Sequence, residues 1–351
     1  MKLLITGGAG FIGSNFIRHV LKLGRGYSVV NYDKLTYAGN LANLDTIAHD
    51  PRYRFVKGDV CDPIEVEAAM TGCDAVVHFA AESHVDRSIY EPDAAIETNV
   101  KGTFVLLQVA RKLGIERFVH ISTDEVYGDM PPGAFADEDS PIQPSSPYSA
   151  SKAASDLLVR SFVRTYNFPA VITRSSNNYG PYQFPEKFLP LMITNALDDK
   201  PLPIYGDGLQ QRNWLHVEDN CCAISAVLER GKIGEVYNVG GVDVIDNLTM
   251  AKRLLHLMGK HESLLTYVKD RPGHDRRYAL RCDKMAKHLD WRPSIALEDG
   301  LRRTIDWYKT HTAWLASVRD GNYRKYYEQY YENRDSTLST IAGPAPERAA
   351  T

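Results

Sequence analysis

Cysteine is scarce and irregular in this sequence: five among 351 residues, at positions 61, 73, 221, 222 and 282. An odd count without framework spacing excludes a disulfide scaffold and reads as free thiols in a reducing compartment. No run approaches the roughly 18 consecutive apolar residues of a membrane span. No apolar signal region with a cleavage site precedes the first glycines. These absences predict a cytoplasmic chain without a membrane partner. Charge of neither sign is in excess: 41 Lys and Arg against 44 Asp and Glu leave −3, mixed along the chain. That balance offers no electrostatic footing for nucleic acid. The 11 histidines lack clustered ligand spacing, so no metal site is expected. No internal repeat is visible. What is present, 44% hydrophobic residues in a chain of this length, suffices for two domains or one enlarged one.

Short β-branched runs at 3–6, 28–32, 53–56, 75–79, 117–122 and 170–173 alternate with helical patterns at 16–23, 64–70 and 95–113. Strand, helix, strand in succession implies parallel pairing with right-handed crossovers. The expected class is α/β: a doubly wound parallel (Rossmann) sheet with a smaller C-terminal substrate-binding domain. After about residue 180 proline and aromatic residues crowd the chain, 237–239 reads as one more strand, and short helices and loops follow from 247. Residues 1–180 therefore form the first domain, with 211–245 returning to it. Residues 181–334 form an interleaved second domain, and the polar stretch 335–351 a disordered tail.

The first strand runs into Thr6-Gly7-Gly8-Ala9-Gly10-Phe11-Ile12-Gly13, where Gly7, Gly10 and Gly13 are spaced G-x-x-G-x-x-G. Glycines permit a tight turn and close approach of a pyrophosphate to the backbone, and the helix that follows offers its unpaired N–H groups to that anion. Asp33 ends the second strand, where a carboxylate accepts the adenosine ribose hydroxyls and repels a 2′-phosphate. NAD is thus expected over NADP. Asp59, after the third strand, is placed to hold the adenine amino group.

Ser146-Pro147-Tyr148-Ser149-Ala150-Ser151-Lys152 sets a tyrosine and a lysine four apart, with Pro147 suited to a first helical position. They then share one helix face, and the lysine charge biases the phenol toward a base. Thr123-Asp124-Glu125-Val126-Tyr127-Gly128 follows the fifth strand. Adjacent strand residues point to opposite faces, so both carboxylates serve one ligand only if the strand ends there and turns. The spacing alone leaves a catalytic pair and a solvated acidic turn equally open.

The glycine-rich turn, Asp33 and the Tyr148/Lys152 pair resemble the extended short-chain dehydrogenase/reductases. Within that group several blocks resemble the dTDP-glucose 4,6-dehydratases. They include the segment 123–128, Leu35-Thr36-Tyr37-Ala38-Gly39-Asn40-Leu41, Ala80-Ala81-Glu82-Ser83-His84-Val85-Asp86 and Ser176-Asn177-Asn178-Tyr179-Gly180-Pro181. Phe184-Pro185-Glu186-Lys187 and Arg271-Pro272-Gly273-His274-Asp275 complete the likeness, which spans residues 1 to about 334. It implies that Tyr148 and Lys152 govern oxidation at sugar C4, with Thr123 beside them, while Glu125 removes the C5 proton and Asp124 protonates the departing C6 hydroxyl. It further implies that NAD meets Gly7, Gly10, Phe11, Ile12, Gly13, Asp33, Lys34, Leu35 and Thr36 along the first two strands. Asp59, Val60, Phe79, Ala80, Ala81, Ser83, Thr98 and Asn178 join them, along with Tyr148 and Lys152. The nucleotide sugar would meet Ser83, Thr123, Asp124, Glu125, Asn177, Lys187 and Phe188. Beyond these it would reach Pro203, Tyr205, Arg212, Asn247, Arg271, His274 and Tyr331. Arg212 and Arg271 suit a diphosphate, whose oxygens guanidinium groups bind in pairs.

Two positions depart from the family pattern: Ser175 stands where cysteine is more frequent, and Asn213 precedes Trp214 where aspartate is usual. The latter puts a local ion pair in doubt. The resemblance also implies a homodimer paired through the helices at 95–113 and 148–166. Three rival readings remain: a nucleotide-sugar 4-epimerase, a UDP-glucuronate decarboxylase, and a catalytically silent NAD-binding regulator. The first has no use for Asp124 and Glu125, Asp124 argues against the second, and regulators commonly lose the tyrosine or lysine.

Overall fold

Twelve strands are present in the computed structural model, which describes residues 1–319 and Tyr327. In chain order they are β1 (Lys2–Thr6), β2 (Ser28–Asp33), β3 (Tyr53–Lys57), β4 (Ala75–His78), β5 (Arg117–Thr123), β6 (Ala170–Ser175), β7 (Asn177–Tyr179), β8 (Leu202–Tyr205), β9 (Gln211–His216), β10 (Val236–Val239), β11 (Val244–Asp246) and β12 (Leu265–Val268). Seven make a parallel sheet in the order β10-β6-β5-β4-β1-β2-β3. Both faces of this sheet are covered, which is why its strands read as continuous apolar runs rather than as alternation. Leu3 and Ile5 of β1 face one core with Phe16, Val20, Ile224 and Val227 from the helices Phe11–Lys22 and Val217–Arg230. Leu4 faces the other, with Val66, Leu106, Val159 and Phe162 from Pro63–Met70, Thr103–Leu113 and Pro147–Tyr166. The strand order reverses at β1, between β2 and β4, and the crevice at the carboxyl ends there is where such sheets bind ligands.

Residues 211–245 divide between two sheets. The helix Val217–Arg230 and β10 join the seven-stranded one, but β9 pairs with β7 and β11 in a separate three-stranded sheet. β8 and β12 make a further parallel pair. Strands β7 and β11, of three residues each, carry too few residues for a periodic signal. A third core of Leu191, Met192, Leu254, Leu301 and Tyr308 lies among these elements. The segment 95–113 is not one regular helix: a π-helical turn, Ile96–Gly102, precedes Thr103–Leu113. Among the described residues no helix is long and apolar enough to cross a membrane. The expected tail, 335–351, lies outside the described residues.

Candidate active site

The glycine turn is built as its spacing requires. Gly7 has φ 69°, and a Cβ there would sit 2.5 Å from the Ala80 nitrogen. A Cβ on Gly13 would lie 2.3 Å from the Gly7 oxygen, so strand and helix pack at glycine distance. Gly10 caps the helix Phe11–Lys22 without any side-chain hydrogen bond, and a Cβ on it would meet only the Gly7 oxygen, 3.3 Å away. The helix start therefore faces an open cavity of about 330 Å³ with its N–H groups uncapped. Asp33 lines the same cavity. Its two oxygens accept from the Ala9 and Leu35 N–H groups at 2.9 and 2.8 Å, which orients the carboxylate and leaves lone pairs for further donors. Burial raises its carboxyl, with both backbone bonds opposing. Lys34 pairs with Asp59 at 2.7 Å across the cavity rim. This cradle fits an adenine dinucleotide: an uncapped helix start for pyrophosphate and an oriented acid at the second strand end.

Most residues that the sequence assigned to the cofactor line this cavity, from Gly7 to Thr98 and on to Tyr148, Lys152 and Asn178. Leu35 does not. It adopts φ 57° and serves the site through its backbone, by donating to Asp33.

The pairs Asp124/Glu125 and Tyr148/Lys152 both open into the same cavity. β5 ends at Thr123, and Asp124–Tyr127 form a 3₁₀ turn that closes on Gly128 at φ 73°. The Thr123 hydroxyl accepts from the Glu125 N–H at 3.3 Å and donates to the Asp124 carboxylate at 3.2 Å. The turn resolves the geometric objection that adjacent carboxylates diverge, because the chain has left the strand before they occur. The second pair stands on the helix Pro147–Tyr166, which starts with Pro147 at its first position and a Ser146/Ser149 capping box. Lys152 Nζ donates to the Ile121 carbonyl at 2.6 Å, pinning this helix to β5.

Burial dominates the electrostatics. It pushes the Asp124 carboxyl up to about 7, with Glu125 adding to the rise and Arg212 opposing it. Asp124 Oδ2 is buried with no hydrogen-bond partner. Burial raises Glu125 as well, against Arg271, Arg212 and Lys187. Lys152 is brought down to about 8 by burial, which Asp156 opposes. Tyr148 is raised by burial and then by Glu125, with hydrogen bonding from Thr123 working the other way. Burial thus favours the neutral phenol.

A second cavity of about 140 Å³ holds the expected sugar-nucleotide residues Pro203, Tyr205, Arg212, Asn247, Arg271 and His274. Glu125, Asn177, Lys187 and Phe188 line both cavities, so the two meet beside the turn Asp124–Tyr127. Ser83 lines the first cavity, and its carbonyl accepts from Lys187 Nζ at 2.5 Å. Arg212 bonds the carbonyls of Gln211 and Asp275 at 2.8 and 3.0 Å and stacks 4.2 Å from the Tyr278 ring centroid. Its charge has no carboxylate partner among the described residues, as an anion site requires. Arg271 pairs with Asp86 at 2.5 Å, and Tyr205 donates to the other Asp86 oxygen at 2.9 Å. His274 is lowered to about 4, by burial first, although Asp270 lies 2.6 Å away. Tyr331 lies outside the described residues.

Sequence reasoning quoted Asp86 and Glu186 within motifs without giving either a part. Both are buried and line the second cavity, and Glu186 accepts from Tyr37 at 3.0 Å and Arg87 at 3.2 Å. Asn213 makes no ion pair among the described residues. Its oxygen accepts from Leu280 N at 2.7 Å and its amide donates to the Gly241 and Asp243 carbonyls, bonds an aspartate would lack. Ser175 donates to Asn220 at 3.0 Å.

A family model described as GDP-mannose 4,6 dehydratase matches residues 4–304. This chain belongs to that family. Among the family's curated relatives, the dTDP-glucose 4,6-dehydratase of Salmonella typhimurium is 50% identical over 95% of this chain and 100% of its own. A dTDP-glucose 4,6-dehydratase of Streptomyces venezuelae, solved with NAD bound, is 48% identical with a TM-score of 0.89, covering 91% of this chain and 100% of its own. A UDP-glucuronic acid 4-epimerase of Bacillus cereus, solved with UDP-glucuronic acid and NAD, is 30% identical at a TM-score of 0.83, covering 88% and 99%. The family fold thus serves both dehydration and epimerisation, and the side chains around the sugar must separate them.

Proposed function

We propose that the protein is an NAD-dependent dTDP-glucose 4,6-dehydratase, forming dTDP-4-keto-6-deoxyglucose and water. The observation that carries this reading is the turn Asp124–Tyr127, which sets a buried carboxyl group, Asp124, and a half-buried one, Glu125, in one cavity with Tyr148 and Lys152. Bound NAD supplies a hydride acceptor for C4, a hydride donor for C6 and, when oxidised, the further positive charge that favours the Tyr148 phenolate. Tyr148 accepts the C4 hydroxyl proton, with Thr123 hydrogen-bonded to it and Lys152 one turn further along the same helix face. The C4 ketone acidifies C5, whose proton Glu125 takes and, after exchange with solvent, returns to C5 as a hydride reaches C6. Asp124, still protonated near neutrality, gives its proton to the C6 hydroxyl, which leaves as water. Arg212, Arg271 and Lys187 hold the diphosphate end.

An epimerase would leave Asp124 and Glu125 without a task, and their presence in the cavity favours dehydration. Incubation with dTDP-glucose in deuterated water should yield a 4-keto-6-deoxy product carrying deuterium at C5. A product that keeps its C6 hydroxyl would move the protein to the epimerases.

The reading includes a cytoplasmic homodimer and a deoxysugar pathway downstream. The five cysteines are unpaired, in keeping with a reducing compartment; fractionation of the source cells tests the location. Ile96, Phe104 and Leu157 expose apolar surface on the π-turn and the two helices named for dimer pairing. Phe104→Glu with Leu157→Glu should shift sedimentation from dimer to monomer. An unchanged sedimentation coefficient would exclude that face.

A further inference from the structure

Beneath both catalytic pairs lies a chain of buried polar groups that touches neither cavity. Asp156 follows Lys152 by four residues and Tyr148 by eight, on the same face of the helix Pro147–Tyr166. Its Oδ2 accepts from Arg174 Nε of β6 at 2.8 Å. The Arg174 guanidinium donates through Nη1 to the Tyr127 hydroxyl at 2.9 Å and lies 4.8 Å from the Tyr127 ring centroid. The Tyr127 hydroxyl in turn donates to Asn238 Oδ1 of β10 at 2.7 Å. Tyr127 is the last residue of the turn that begins at Asp124. All four side chains are buried, Asp156 and Asn238 with no exposure at all. Burial pushes the Asp156 carboxyl up, but His120, whose Nε2 is 3.5 Å away, and Arg174 outweigh it and hold it ionised.

Burying such a pair costs several kcal/mol per ion in desolvation, and apolar side chains of the same volume would often fill the space with no loss of stability. Its distinguishing property is direction. It joins the helix that carries the oxidation pair to the turn that carries the dehydration pair, through hydrogen bonds of fixed geometry. We propose that the buried bridge Asp156–Arg174–Tyr127 is a positioning device. It locks the acid/base turn to the oxidation helix, so that a sugar oxidised by one pair stays in register for elimination by the other. Neither Asp156 nor Arg174 reaches the ligands; they act through Tyr127 and the turn.

This inference rests on the dehydratase reading, and the wild-type enzyme tests that reading separately: no conversion of dTDP-glucose would sink the reading itself. Tyr127→Phe keeps the ring and removes only the hydroxyl. It should lower kcat roughly 10–100-fold with KM within about twofold, because a turn misplaced by a fraction of an ångström harms the chemical step and not ground-state binding. Oxidation at C4 should continue, so enzyme-bound reduced cofactor should accumulate at steady state, visible by its absorbance. In the ligand-free protein, amide exchange at Glu125–Gly128 should quicken while the strands stay protected. Arg174→Lys, which keeps the charge but not the fork, should reproduce this signature if it folds. A folded Tyr127→Phe with wild-type kinetics and exchange would overturn the bridge. So would a fall in kcat without accumulation of reduced cofactor.

Discussion

In a single turnover with dTDP-glucose, Asp124→Asn and Glu125→Gln should fill with reduced cofactor and release product slowly, whereas Tyr148→Phe should form almost no reduced cofactor. The first two substitutions keep shape and remove a proton donor or acceptor, a loss of ~10²–10⁴-fold in the step concerned. The separation follows from placement: Tyr148 stands on the helix Pro147–Tyr166, the acids on the turn after β5. A pH signature accompanies it. Burial, aided by Glu125, brings Asp124 up to about 7 from the ordinary 3.8, so the group is neutral and able to donate below that pH. As pH rises through about 7 the donor form is lost, and the elimination step should fall with it. Asp124→Asn should lack this alkaline limb while remaining slow throughout. Carboxylate variants as slow as Tyr148→Phe in reducing the cofactor would refute the division of roles, as would an alkaline limb unchanged in Asp124→Asn.

Arg174→Met should be among the most destabilising single changes available in the central sheet. It leaves the Asp156 carboxylate fully buried with His120 as its remaining close partner, and His120 is held neutral near pH 7 because burial, the largest influence, brings it down to about 4. Breaking one side of a buried ion pair typically costs about 3–5 kcal/mol. The urea midpoint should fall accordingly, with little change in the slope of unfolding. Adding Asp156→Leu to Arg174→Met should recover most of that loss, since the stranded charge is gone. A double variant no more stable than the single one would show that the loss came from misfit around the introduced thioether rather than from the unpaired carboxylate.

The central sheet was legible because its strands are apolar on both faces and are punctuated by glycine turns. The runs at 28–32 and 117–122 differ from β2 and β5 by one residue at one end. The small sheet β11-β9-β7 was not legible. Three-residue strands such as Val244–Asp246 show no period, and Gln211–His216 carries polar side chains such as Arg212 and Asn213 although all but Gln211 are buried, which hides its pattern. In the site, motif residues declared themselves by type and spacing, as Tyr148 and Lys152 do. A motif does not say whether Leu35 serves through its side chain or through its N–H, which donates to Asp33. Arg174 left no trace, since a single arginine inside a strand run looks like an interruption. Asp156 left one: continuing the four-residue spacing past Lys152 reaches it directly.

Ser176 alone separates β6 of the large sheet from β7 of the small one, and its N–H is bonded to Val239 O of β10 at 2.9 Å. A hinge needs residues free to change their backbone angles, and here the two sheets are joined by one residue whose donor is already committed. Asn177 and Asn178, which line the cavity, follow immediately. The spacing between the cofactor side and the sugar side is therefore written into the peptide chain itself, as the pitch of a thread is cut into a screw. Drawing the two sheets apart at this point would have to break the bond from Ser176 to Val239.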